Sequence, residues 1–131
     1  MNMAGNYLLD TNILIALFNE EEAILAKIQA ADSIHVESHV IGELYFGAYN
    51  SGRIEENLQR IDEFVEAKMI IRTDYLTSKF YGEIKAQLKR NGTPIPENDI
   101  WIAAITKQYN LTLASRDQHF DKIENFNWEI W

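Results

Sequence analysis

Short apolar runs alternate with longer amphipathic ones along the chain, and the spacing within each run predicts its structure. Tyr7-Leu8-Leu9 is apolar and ends in Asp10, the polar pair Thr11-Asn12 follows, and Ile13-Leu14-Ile15-Ala16-Leu17-Phe18 resumes. That order predicts a buried strand, a sharp turn and the start of a helix. From Glu20 to Ala31, helical spacing puts Ala23, Ile24, Ile28 and Ala31 on one side. Ile34-His35-Val36 predicts a second strand. Ser38 is placed to cap a helix reaching about Asn50, with an apolar stripe of Val40, Ile41, Leu44, Tyr45 and Ala48, broken by Ser51-Gly52. Ile54, Leu58, Ile61 and Val65 mark another helix, to about Ala67. Met69-Ile70-Ile71 reads as a short third strand, wholly buried, and Phe80, Ile84 and Leu88 mark a helix over 75–88.

Two prolines in Asn91-Gly92-Thr93-Pro94-Ile95-Pro96 enforce a loop, because each disfavours helix in the residue before it. A helix then runs from a cap at Asn98 to about Gln108. Leu111-Thr112-Leu113-Ala114 predicts a fourth strand and Trp128-Glu129-Ile130-Trp131 a fifth. Strands alternating with helices predict an α/β fold, with a mostly parallel sheet of four to five strands and helices on both faces. No repeat, linker or low-complexity segment interrupts the pattern, so residues 1–131 are expected to form a single domain.

Composition narrows the chemistry. With no cysteine, disulfides, thiolate metal sites and thiol catalysis are excluded. The run Ile13–Phe18 is too short to span a bilayer, and the first basic residue is Lys27, so no basic signal start is present. A soluble cytoplasmic protein with no membrane partner is the expectation. The net charge of −8 counts against a nucleic-acid partner, which a basic patch normally marks. It suits an acidic cluster that holds a cation.

Four acids are candidates for such a cluster. Asp10 follows the first strand, and Asp117, in Ala114-Ser115-Arg116-Asp117, follows the fourth. In a doubly wound sheet a crevice opens at the carboxyl ends of the strands where the winding reverses. If strands one and four are neighbours, both acids face it. Asp99 lies in the first turn of a helix, and Glu43 sits mid-helix near Gly42 and Gly47. Each has a plainer reading. Asp10 can cap a helix, Asp99 can answer the helix dipole, and Glu43 can face solvent. If they converge, each pair of carboxylates about 5 Å apart costs roughly 3 kcal/mol at an effective dielectric of about 20. A hard divalent cation, Mg²⁺ or Mn²⁺, removes that cost.

Taken in order, Leu9-Asp10-Thr11-Asn12, Gly42-Glu43-Leu44-Tyr45-Phe46-Gly47-Ala48, Asn98-Asp99-Ile100-Trp101-Ile102-Ala103-Ala104 and Ser115-Arg116-Asp117-Gln118-His119-Phe120 resemble the PIN-domain ribonucleases, and among them the VapC-type toxins of toxin–antitoxin pairs. The resemblance covers essentially the whole chain. It implies a PIN-like α/β/α sandwich in which Asp10, Glu43, Asp99 and Asp117 are the catalytic, metal-centred acids. Thr11, Asn12 and Ser115 match the polar positions that support them, and Arg116 and Asp121 fall nearby. It also implies a Mg²⁺- or Mn²⁺-dependent endoribonuclease, an RNA substrate, a homodimer and a cognate antitoxin that blocks the groove. The competing class is a non-catalytic PIN-like interaction module that uses its acids only structurally.

Other motifs contribute less. His35 lies in an apolar strand and reads as structural. His39 shares a helical face with Glu43, and His119 is close to Asp117, so either can border the site. No pair of residues suited to metal-free proton transfer is evident. Asp10-Thr11-Asn12 lacks the second Asp of aspartyl-phosphate phosphatases, and no Gly-rich phosphate loop is present. Tyr45, Phe46 and Tyr49 read as core or a dimer face rather than a base-stacking platform, with Tyr49 the one open to exposure.

Overall fold

A computed structural model describes residues 5–131. Five strands form one parallel sheet: β1 (Asn6–Leu9), β2 (Ser33–Glu37), β3 (Ile70–Ile71), β4 (Thr112–Ser115) and β5 (Trp128–Ile130). Their spatial order is β3-β2-β1-β4-β5. β1 pairs on one side with β2 (Tyr7 opposite Ile34) and on the other with β4 (Leu8 opposite Leu113). The central strand is thus the first, and the winding reverses between β1 and β4, as the crevice argument requires.

Six helices connect the strands. These are α1 (Thr11–Phe18), α2 (Glu22–Ala30), α3 (Ser38–Tyr49), α4 (Ile54–Glu66), α5 (Tyr75–Asn91) and α6 (Glu97–Gln108). Right-handed crossovers put α1–α4 on one face and α5–α6, on the return to β4, on the other. The packing agrees: α1 touches α2 and α3, α3 touches α4, and α5 lies along α6. Leu8, Leu9, Leu113 and Ala114 are fully buried. Helix α6 is buried over Ile102–Ile105, and Thr106 avoids an unpaired hydroxyl by donating to the Ile102 carbonyl at 2.8 Å.

Three local expectations are corrected. Ser38 is the first residue of α3, not its cap; Glu37 takes that role, accepting from the Val40 and His39 N–H groups at 2.6 and 2.9 Å. Helix α6 starts at Glu97, with Asn98 inside its first turn and Pro96 at the cap. The strand around Met69 is not wholly buried. It is a two-residue edge strand with Ile70 and Ile71 half-buried, and Met69 is 94% exposed just outside it. An edge position leaves one side of a strand unpacked, which an apolar triplet alone does not reveal.

Glu37 is fully buried, and its carboxylate also meets His39 Nδ1 at 2.8 Å. Glu37→Ala leaves two helix N–H donors without their partner in the interior. The expected cost is about 2–4 kcal/mol, from a lost cap and unpaired buried donors, read as a lower urea midpoint with an unchanged slope.

Candidate active site

The site is built where β1 and β4 end side by side. The Asp10 N–H still belongs to the sheet, donating to the Ala114 carbonyl at 3.0 Å, while Asp10 also caps α1. Its Oδ1 accepts from the Thr11 N–H at 2.9 Å and its Oδ2 from the Ser115 hydroxyl at 2.7 Å. The capping reading and the crevice reading of Asp10 therefore both hold. Ser115 is the hub of the far side: its oxygen accepts from the Asp117 N–H at 3.0 Å and from the Asn12 amide at 3.4 Å. Asn12 in turn accepts from the Arg116 N–H at 3.1 Å. Thr11 reaches across to α3, donating its hydroxyl to Glu43 Oε1 at 3.0 Å.

The four acids named from the sequence are brought together in two overlapping groups. Asp10, Glu43 and Asp99 present carboxylate oxygens within 4.8 Å of one another, and the carboxylates of Asp99 and Asp117 lie equally close to each other and to a His119 ring nitrogen. Asp99 belongs to both. His119 ties the second group: its Nε2 bonds Asp99 Oδ2 and its Nδ1 lies 2.8 Å from Asp117 Oδ1. Its ring is fixed by the 3₁₀ turn Gln118–Lys122, which Asp117 caps and the fully buried Phe120 anchors. A polar residue beside an apolar anchor in a short turn was the available signal for His119. Glu37 was missed, although Val36-Glu37-Ser38 repeats the pattern of Leu9-Asp10-Thr11.

Arg116 points elsewhere, pairing with Glu21 at 2.7 Å and donating to the Trp131 carbonyl at 3.2 Å. Asp121 is exposed and joins neither acid group. His39 turns toward Glu37 and stacks on Trp101, while still lining a cavity with Glu43. A second cavity, lined by Ile15, Phe18, Leu44 and Ile61, also opens beside Glu43. Phe46 and Tyr49 are not core: they are 70% and 62% exposed, because the face of α3 carrying them turns away from the sheet.

The crowding leaves an electrostatic mark. Asp10 is held above the usual carboxylate range chiefly by burial, against the Ser115 and Thr11 hydrogen bonds that favour its charge. Glu43 is raised by burial and then by the Asp10 charge. Asp99 is pushed from 3.8 up to about 6, by burial first and the Asp10 charge second. Three hard oxygen donors at this separation, all penalised when ionised without a counter-charge, fit a divalent cation.

A carboxyl that binds its proton more tightly when folded contributes most below its unfolded pKa and loses that contribution as pH rises through its folded one. For Asp99 the window runs from about pH 4 to about pH 6. In chelator, Asp99→Asn is therefore expected to be more stable than the parent at pH 7, by on the order of 2 kcal/mol. The advantage shrinks toward pH 4. Melting curves of both proteins across that range check it; a constant difference would mean that the Asp99 carboxyl carries no such penalty.

Comparison with known proteins sets this geometry in a family. The PIN domain family model matches residues 7–125. Ribonuclease VapC2 of Haemophilus influenzae is 34% identical over 128 residues, spanning 95% of this chain and 97% of the relative. The tRNA(fMet)-specific endonuclease VapC of Salmonella typhimurium is 28% identical over the same shares. In structure, VapBC2 of Rickettsia felis, crystallised on a DNA fragment from its promoter, superimposes with a TM-score of 0.87 at 28% identity, over 95% of this chain and 98% of that one. With its parallel sheet, its flanking helices and this run of relatives along nearly its whole length, the chain belongs to the PIN-domain family, among the VapC ribonucleases.

Proposed function

We propose that this chain is a single-domain endoribonuclease of the VapC type, acting in the cytoplasm on RNA with Mg²⁺ or Mn²⁺ and neutralised by a cognate antitoxin. The observation that carries the reading is the approach of Asp10, Glu43 and Asp99 at the sheet's switch point, with Asp117 joined to them through Asp99 and His119. Asp10 and Asp99 are the first choice of metal ligands, and Glu43 and Asp117 share the ion or orient the attacking water. A bound divalent ion supplies Lewis acidity and neutralises charge that develops on the phosphoryl group.

The chain's own residues do the positioning. Ser115 and the Thr11 N–H fix the Asp10 carboxylate so that little reorganisation is left for the reaction. The Thr11 hydroxyl holds Glu43 toward Asp10. Asp117, the more open partner of His119, is placed to orient water from the solvent side. Hydrolysis of this kind does not use the RNA 2′-hydroxyl, so 5′-phosphate and 3′-hydroxyl ends are expected.

The decisive test pairs calorimetry with cleavage of a short single-stranded RNA. Mg²⁺ or Mn²⁺ should raise the melting temperature and permit cleavage, and EDTA should abolish both. Asp10→Asn and Asp99→Asn should each lower the rate by at least on the order of 10²-fold, the scale for losing one group that stabilises transition-state charge. Metal binding with no cleavage under any condition would instead favour a non-catalytic interaction module.

The neighbouring VapBC2 structure supports a partner protein. The cavity between α1, α3 and α4 is apolar along Ile15, Phe18, Leu44 and Ile61 and polar at Asn19, Asn57, Arg60 and Glu43, so an amphipathic antitoxin segment suits it. Where that segment meets the acids it should carry an Arg, whose planar fork matches carboxylate oxygens. Such an Arg competes with the metal. Toxin–antitoxin affinity should therefore fall more steeply in Mg²⁺ than in a monovalent salt of equal ionic strength. Identical titration curves would place the inhibitor away from the acids.

A further inference from the structure

RNA carries a dense negative charge, and this chain is itself at −8. Arg116, the basic residue beside Asp117, is already engaged by Glu21. Stacking of bases on aromatic rings is a sequence-tolerant source of affinity that does not depend on basic charge.

A cavity of about 390 Å³ lies against α3, lined by Ser38, His39, Gly42, Glu43, Phe46 and Asn98. His39 and Phe46 stand two helical turns apart on one face, with Gly42 between them. Phe46 is 70% exposed, an uncommon position for a phenyl ring on a soluble surface. The His39 ring is held edge-on by Glu37 at 2.8 Å and lies parallel to Trp101, with centroids 5.8 Å apart and planes within 4°. Trp101 stacks in turn on Tyr81 at 4.1 Å, so three flat rings form a supported column that ends at the cavity. No heavy atom lies within 4 Å of where a Gly42 Cβ would be, so the floor is open rather than filled by packing. Glu43, one of the converging acids, closes one side. Asn98 lines the same cavity and offers donor and acceptor capacity for a base edge.

We infer that the cavity between His39 and Phe46 is a stacking slot for one nucleobase of single-stranded RNA, at the nucleotide beside the phosphate that is cut. The inference rests on the nuclease reading. It accounts for a supported ring column, an exposed phenyl and a bare floor, all within reach of one catalytic candidate.

The test uses a short single-stranded RNA carrying 2-aminopurine, whose emission falls when it stacks, with Ca²⁺ replacing Mg²⁺ to hold back cleavage. The parent protein should quench the probe. Phe46→Ala and Gly42→Leu, which remove a wall and fill the floor, should abolish the quench and weaken binding by about ten-fold, the scale of one lost base stack. Because the two disabling changes act by opposite means, a folding defect in one leaves the other informative. Undiminished quenching in both, with RNA cleavage by the parent intact, overturns the slot alone. Loss of self-association in Phe46→Ala with quenching retained also overturns it, assigning the face to a second copy. A parent protein that neither binds nor cuts RNA overturns the nuclease reading and the slot with it.

Discussion

The pairing of β1 with β4 is the constraint on which the site depends. Those strands are far apart in sequence, and their register, Leu9 opposite Ala114, sets Asp10 and Ser115 side by side at the end of the sheet. The Asp10 N–H donates to the Ala114 carbonyl, so the last rung of the ladder and the first group of the site are one residue. A shift of register by one residue would exchange Leu113 and Ala114 between two buried faces, and the mismatch in their sizes would open a void on one face and crowd the other. The hydrophobic core thereby protects the alignment of the acids. Helices α3 and α6 then bring Glu43 and Asp99 to the same point from either side of the crevice.

What gathers there is costly in the absence of a cation. Asp10, Glu43 and Asp99 all hold their protons more tightly than free carboxyls, and burial is the leading cause for each. The surrounding polar groups offset part of this. Ser115 and Thr11 hydrogen-bond the charged forms, and His119 lies against Asp99 and Asp117. The residual cost is a local violation of the rule that burial favours neutral side chains, and such violations collect at sites that work on a ligand.

Much of this was legible in the sequence, for reasons that differ by element. Short apolar runs mark strands buried on both faces and period-3.6 stripes mark helices packed on the sheet, so the strands around Leu8 and Leu113 and the stripe of α3 read directly. Asp10 and Asp117 read as site residues because an acid after a buried strand points to one end of a parallel sheet. Failures fell where a neighbour decided the outcome. Met69 is apolar yet exposed, because β3 is an edge. Phe46 and Tyr49 read as core or a dimer face, and only the core alternative fails, because composition does not say which way a helix face turns. The cap of α3 went to Glu37 rather than Ser38, since a longer side chain reached the same two N–H groups from one position earlier. His119 could be set near Asp117, but its bond to Asp99 joins residues twenty apart and exists only in the folded chain.

The strand–acid–helix joint occurs twice, at Leu9-Asp10-Thr11 and at Val36-Glu37-Ser38, with different fates. At the second the carboxylate is sealed, its oxygens consumed by α3 and His39. At the first the acid fastens α1 to β4 and still takes part in the cluster with Glu43 and Asp99. On the proposed nuclease reading, one side chain thus serves architecture and chemistry at once, and neither can be altered there without touching the other. Asp99 carries no capping duty. If the proposed roles hold, a catalytically silent form for capturing RNA or an antitoxin on an undistorted scaffold is better made at position 99 than at position 10.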